Sequence, residues 1–438
     1  MASSRITPLF LLSFMTLAPR VPAAQTPADS STALAGVREF AQACGRDAGQ
    51  LWGQSLCGPL IVVDGRTGLA VATELPPEGV FEVRDGLWIG RVPEGMQVAN
   101  TAMEWKGRLW STVRLPLPDD PFLRIRLLVH EAFHRIQPDL GLNARDAINA
   151  HLDERDGRYL LRLEIRALAA ALRSDSDAAR QAALDAVLFR AARNHRYPGS
   201  DTLENALEVQ EGLAEYTGTR LSLASTGLPP ARAAEAAADF ENRPTYVRAL
   251  GYGTGPLLGL VLDRHAPEWR IGVTEKGFAA QLGPALGFTV PADLTPAVET
   301  AAARYGGETL AREEDSRAAA RARAVAEYRA HLVEGPVIIL QAEEMFRSFN
   351  PNNLVPLGPD GTVYPTGTFR AAWGVLTVEQ GGALVAPDNR EVRVPVPPGM
   401  TAAARVIEGP GWRLALAQGW QLRPAPRHGD FTATGDPR

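Results

Sequence analysis

Phe122-Leu123-Arg124-Ile125-Arg126-Leu127-Leu128-Val129-His130-Glu131-Ala132-Phe133-His134-Arg135-Ile136-Gln137 reads as one helix, and the pentad His130-Glu131-Ala132-Phe133-His134 within it decides how the rest of the chain is read. Successive residues of a helix turn by about 100 degrees, so residues four apart project from one face. His130 and His134 can therefore reach a single metal ion, with Glu131 flanking them. A zinc ion that works on water takes three protein ligands and leaves a fourth position open, so the pair needs one more group.

Working outward, the best source of that group is Glu208-Val209-Gln210-Glu211-Gly212-Leu213-Ala214-Glu215-Tyr216-Thr217-Gly218, part of a helix expected over 202–225. Glu208, Glu211 and Glu215 stand three and four apart, which turns all three toward similar sides. One can be a ligand while a neighbour accepts a hydrogen bond from the second nitrogen of a ligand histidine.

With these two segments the chain resembles the gluzincins, the zinc metallopeptidases of the thermolysin and aminopeptidase superfamily. The resemblance implies Zn(2+) as cofactor, Glu211 as third ligand after His130 and His134, Glu215 as the acid that orients a histidine, and Gly212 as a point of close helix packing. Glu208 and Glu204 are weaker alternatives. Glu131 is then the general base that takes a proton from water as it attacks a peptide carbonyl. Tyr252, in Leu250-Gly251-Tyr252-Gly253-Thr254-Gly255, resembles the tyrosine ahead of a later helix in aminopeptidase-like gluzincins, and is the candidate donor to the oxyanion. Tyr246, Arg243, Arg248 and His195 compete for that role. Asn100-Thr101-Ala102-Met103-Glu104-Trp105 falls where such enzymes carry an edge strand, which makes Glu104 a candidate for holding a substrate amine. One departure stands out: Glu211 follows His134 by 77 residues, so a helical hairpin over 145–194 has to be accommodated between them.

The flanks set the fold class, α+β. A helix over 34–55 precedes strands at 59–63, 80–83 and 87–90 and a hairpin of 98–105 with 108–115 around Lys106-Gly107. Pro116, Pro118 and Pro121 then mark a linker into a nearly all-helical block, with helices also expected at 231–239, 254–264, 275–283, 294–304 and 306–332. From Gly335 onward short strand-like runs return, including 369–376. The expected organisation is a signal segment (1–24), an N-terminal α/β region with edge strands (25–120), a helical zinc metallopeptidase domain (121–333), a small all-β module (334–425) and a disordered tail (426–438).

Residues 1–24 combine Arg5, the apolar run Pro8–Leu17 and Ala23-Ala24, the pattern of a secretion signal. The run is too short to cross a bilayer, and the expectation is a periplasmic or extracellular protein with no stable membrane insertion. In an oxidising compartment the two cysteines, Cys44 and Cys57, suggest one disulfide. The formal charge of −5 becomes −7 when Arg5 and Arg20 leave with the signal, so no positive field exists to attract nucleic acid. Gly251-Tyr252-Gly253-Thr254-Gly255 lacks the lysine and strand of a phosphate loop. His151, His265, His331 and His428 lack partner spacing and default to surface hydrogen bonding or helix ends. The expected partner is a peptide or protein substrate. The alternatives are an exported binding protein that keeps the fold without catalysis, and a zinc hydrolase of a non-peptide amide or ester.

Overall fold

A computed structural model describes residues 27–96, 98–143, 147–173, 176–350 and 353–435. The signal segment lies outside these residues, as do Ser174, Asp175 and the last three positions. The chain divides into two compact units between Glu308 and Thr309, so the expected regions 25–120 and most of 121–333 fall within the same unit.

The first unit opens with α1 (Pro27–Asp47), followed by β1 (Leu60–Val63), β2 (Leu69–Ala72), β3 (Val80–Arg84), β4 (Leu87–Arg91), β5 (Thr101–Trp105) and β6 (Arg108–Arg114). They form one sheet in the order β3-β4-β2-β1-β6-β5, antiparallel except where β1 runs parallel to β6. The β5–β6 hairpin closes on Lys106 (φ 52°) and Gly107 (φ 80°), the doubly left-handed pair that matches the twist of a two-residue hairpin. Ile61, Val63, Ala70, Ala72, Trp105 and Trp110 cluster on one face of the sheet. Cys44, in α1, is disulfide-bonded to Cys57.

Helices follow: α2 (Pro121–Ile136), α3 (Arg155–Ala171), α4 (Asp177–Arg196), α5 (Ser200–Leu207), a π-helical turn (Glu208–Gly212), α6 (Leu213–Thr226), α7 (Ala231–Phe240), α8 (Leu250–His265), α9 (Val273–Lys276), α10 (Leu282–Leu286), α11 (Leu294–Ala302) and α12 (Gly307–Arg329). The helix expected over 202–225 is continuous in direction but interrupted by the π turn, a one-residue widening that apolar periodicity does not report. The helix expected over 275–283 is broken into short pieces at Gly277, whose φ of 74° no continuing helix allows.

The second unit carries β7 (Val337–Gln341), β8 (Phe346–Phe349), β9 (Val355–Pro356), β10 (Thr362–Tyr364), β11 (Gly367–Ala371), β12 (Gly374–Val378), β13 (Ala383–Val385), β14 (Glu391–Pro395), β15 (Val406–Gly409), β16 (Trp412–Leu416), β17 (Trp420–Pro424) and β18 (Phe431–Gly435). Two sheets, β17-β18-β7-β14-β13-β10-β9 and β15-β16-β12-β11-β8, bury Ile338, Leu340, Val392 and Val394 with Phe369, Trp373, Leu376 and Leu414 in a shared core. The run 369–376 is thus a hairpin rather than one strand, turning at Ala372-Trp373. The tail reading is corrected as well. Phe431–Gly435 is a strand, antiparallel to β17 and parallel to β7, held there by backbone pairing that its own composition does not announce. The architecture is therefore a mostly helical core with β-sheet regions on its N-terminal and C-terminal sides along the chain.

Candidate metal centre

α2 starts where the Asp120 carboxylate accepts from the Phe122 N–H at 2.8 Å, with Pro121 in the first turn. Its apolar face is buried through Phe122, Ile125, Leu128, Val129, Ala132 and Phe133, and Ser111 of β6 donates to the Glu131 carbonyl at 3.1 Å. α6 packs against it closely enough that a Cβ at Gly218 would lie 2.4 Å from the Arg126 carbonyl oxygen. These contacts fix both the height and the rotation of the helix that carries His130, Glu131 and His134.

Donor atoms of His130, Glu131 and His134 all lie within 4.8 Å of one another, so the cluster can hold a metal ion. The π turn brings in Glu211. Its Oε2 stands 3.5 Å from His130 Nε2 and 3.6 Å from His134 Nε2, and the two imidazole nitrogens are 3.0 Å apart. Ligand atoms on a tetrahedral zinc at 2.0–2.1 Å are separated by about 3.3 Å, which is the scale of this triangle. The donor set fits in a second respect. Glu131 Oε2 and Glu211 Oε2 are both buried and accept no hydrogen bond, a costly condition that a bound dication relieves.

No family model, curated protein or solved structure matches this chain.

Both imidazoles are gripped from behind. His134 Nδ1 donates to Gln137 Oε1 at 2.8 Å, and the Gln137 amide donates onward to the carbonyls of Val209 at 3.0 Å and Gln210 at 3.3 Å. Gln137 therefore ties α2 to the π turn and leaves His134 Nε2 as the free lone pair. Glu215 Oε1 lies 3.4 Å from His130 Nδ1, a long contact, while its other oxygen faces Arg126 at 3.4 Å. Burial pulls the His130 and His134 pKa values down, but the carboxylates of Glu211 and, for His130, Glu215 outweigh it and raise both. The same pairing holds Glu211 well below the usual carboxylate range despite its burial. Glu131 goes the other way: burial, aided by the charges of Glu211 and Glu215, raises it above the pull of the imidazoles.

The alternative ligands Glu208 and Glu204 have other partners. Arg190 of α4 grips Glu208 with two hydrogen bonds of 3.0 and 2.6 Å and also reaches Glu164 at 2.7 Å. Arg193 grips Glu204 at 2.6 Å through two nitrogens and Glu164 at 2.7 Å. Thr254 of α8 donates to Glu208 at 2.6 Å, and His151 meets Glu204 at 2.7 Å. His151 is thus a buried network member rather than a surface group. Burial would raise Glu204, yet Arg193, His151 and Arg190 hold it far below the usual range. The hairpin of α3 and α4 supplies the cations that lock the segment just ahead of Glu211.

Tyr252 lies in the first turn of α8, not ahead of it, and its ring stacks on His130 at 5.8 Å with an 11° tilt. α8 accepts its unfavourable glycines because they fit against the π turn: a Cβ on Gly255 would lie 2.3 Å from the Gly212 Cα. Of the competing donors, Tyr246 is buried and donates to the Glu241 carbonyl at 2.7 Å, and His195 is exposed on α4. Glu104 sits exposed on β5, an edge of the sheet, paired in register with Leu109. Among the described residues no contact joins it to the histidines. Gln137 and Arg190 went unread in the sequence. Gln137, three residues after His134, had the i, i+3 spacing that announces a partner, whereas nothing local marks Arg190.

Proposed function

We propose that this chain is an exported zinc-dependent hydrolase of peptide bonds. The observation that carries the reading is the triangle of His130 Nε2, His134 Nε2 and Glu211 Oε2, with edges of 3.0 to 3.6 Å and Glu131 beside it. His130, His134 and Glu211 are the residues that hold the metal, and Gln137 and Glu215 aim the imidazoles. A zinc ion there supplies Lewis acidity toward a carbonyl and lowers the pKa of water toward neutrality.

Glu131 receives the proton of the attacking water and returns it to the leaving amine, a task suited to its raised pKa and to the oxygen that has no protein partner. Tyr252, stacked on His130, is the candidate donor to the developing oxyanion. The Cys44–Cys57 disulfide supports export into an oxidising compartment. No helix among the described residues is long and apolar enough to cross a membrane.

The test is zinc content with peptide turnover in three proteins. Native protein should hold about one equivalent of zinc and cleave peptides. Glu131→Gln should keep the metal and lose about 10²- to 10⁴-fold in turnover, and Glu211→Gln should lose metal. A Glu131→Gln protein that cleaves at the native rate sinks the assignment.

A further inference from the structure

Arg243 is a half-buried cation beside this centre whose guanidinium makes no ion pair or hydrogen bond with a carboxylate among the described residues, although the charge of Glu215 reaches it. It lies between α7 and α8 in a segment pinned on both sides: its own N–H bonds to the Phe240 carbonyl at 3.1 Å, Thr245 donates to Asp153 at 2.9 Å, and Asn149 N–H bonds to the Val247 carbonyl at 3.1 Å. Its Cζ stands 5.3 Å from the Phe240 ring centre and 5.5 Å from that of Tyr252. Aromatic faces therefore attract the cation, but its side-chain N–H donors reach no acceptor among the described residues. The buried guanidiniums of Arg124, Arg190 and Arg193 contrast with it, since each is paired with a glutamate. Taking a guanidinium partly out of water without a hydrogen-bonding partner is unfavourable, and a ligand that brings one recovers that cost.

Position and charge limit what that ligand is. The Tyr252 ring bridges from Arg243 to His130, with spans of 5.5 and 5.8 Å. A group bound by Arg243 therefore lies within about three residues of extended chain from the metal centre, at roughly 3.5 Å per residue. Around the centre, the carboxylates of Glu131, Glu211 and Glu215 face the guanidiniums of Arg126 and Arg243, and a dication on the imidazole pair turns that balance positive. Such a site repels an ammonium group and attracts an anion, and a planar guanidinium fork matches a carboxylate in shape.

Building on the hydrolase reading, we propose that Arg243 is the subsite for a substrate carboxylate, so that the preferred substrates carry a carboxylate within about three residues of the bond that is cut. A free C-terminus and an acidic side chain share this chemistry.

Binding separates them without relying on turnover. Acetyl-Ala-Ala-Ala, its C-terminal amide, and acetyl-Ala-Glu-Ala-amide are titrated calorimetrically into the zinc-loaded Glu131→Gln protein, alone and combined with Arg243→Met or Arg243→Lys. Zinc content is measured for every sample. A desolvated charge-assisted contact predicts that the free acid binds about 10- to 100-fold more tightly than the amide. Arg243→Met should abolish that preference and Arg243→Lys should keep part of it, both with unchanged zinc content. Preference for the internal glutamate that also depends on Arg243 assigns the subsite to acidic side chains. Equal binding of all three peptides, or a preference that survives Arg243→Met, overturns the proposal. Failure of the hydrolase reading looks different: native zinc-loaded protein leaves every peptide intact while the Arg243-dependent binding preference persists.

Discussion

Replacing Arg190 by methionine tests whether the hairpin of α3 and α4 is part of the metal site. Arg190 makes two hydrogen bonds to Glu208 and one to Glu164 in a region where both carboxylates are buried. Removing one partner of a buried ion pair typically costs about 3–5 kcal/mol, chiefly because a charge is left without compensation. Here Glu164 keeps Arg193 at 2.7 Å and Glu208 keeps the Thr254 hydroxyl at 2.6 Å, so the lower end, about 3 kcal/mol, is expected. For a unit of this size that corresponds to a fall in Tm of about 6 °C. Because Glu208 opens the π turn that presents Glu211, zinc affinity measured by chelator competition should also fall, by about tenfold, the lower range for groups that orient ligands. Arg190→Met combined with Glu208→Met removes the stranded charge and should recover most of the Tm. A single variant within 1 °C of native by calorimetry, or a double variant no better than the single, refutes the reasoning.

Other consequences are open to the same kind of test. Gly218→Ala forces a Cβ to within 2.4 Å of a backbone oxygen on the helix that carries His130 and His134; urea denaturation should show a loss of about 1–3 kcal/mol. Glu204 has a folded pKa depressed from 4.5, so its contribution is complete above that value and is lost as pH falls through the folded pKa. The Tm gap between native protein and Glu204→Gln should accordingly stay constant from about pH 7 to pH 5 and narrow in stronger acid. Cys44 and Cys57 are separated by 13 positions; reduction should lower stability by about 3 kcal/mol on the chain-entropy scale, measured as a Tm shift with and without reductant.

The reading of the site from sequence succeeded where the chemistry is local. His130 and His134 share a helical face by spacing alone, and in the structure their Nε2 atoms are 3.0 Å apart. The resemblance implies Glu211 as the third ligand over Glu208 and Glu204; in the structure Glu211 faces both imidazoles while the latter two are paired with Arg190 and Arg193, residues whose approach depends on how a distant hairpin docks. The disulfide needed only two cysteines. The strand at Phe431–Gly435 is not announced by its own composition: it sits between β17, which it pairs along its whole length, and β7, about ninety positions earlier in the chain, and its conformation comes from that pairing on both sides.

By itself the sequence determined the histidine pair, the glutamate between them, the alternation of β, helical and β regions, and the single disulfide, because each rests on spacing within a few turns of chain or on composition. Tertiary structure alone decided that the segment carrying Glu211 widens into a π turn, that Gln137 clips this turn to the histidine helix, that two arginines of the hairpin hold it from behind, and that the Arg243 guanidinium makes no hydrogen bond to an acid among the described residues. Those outcomes are set by packing between segments far apart in sequence, where burial and the pairing of charges, not local preference, fix the geometry.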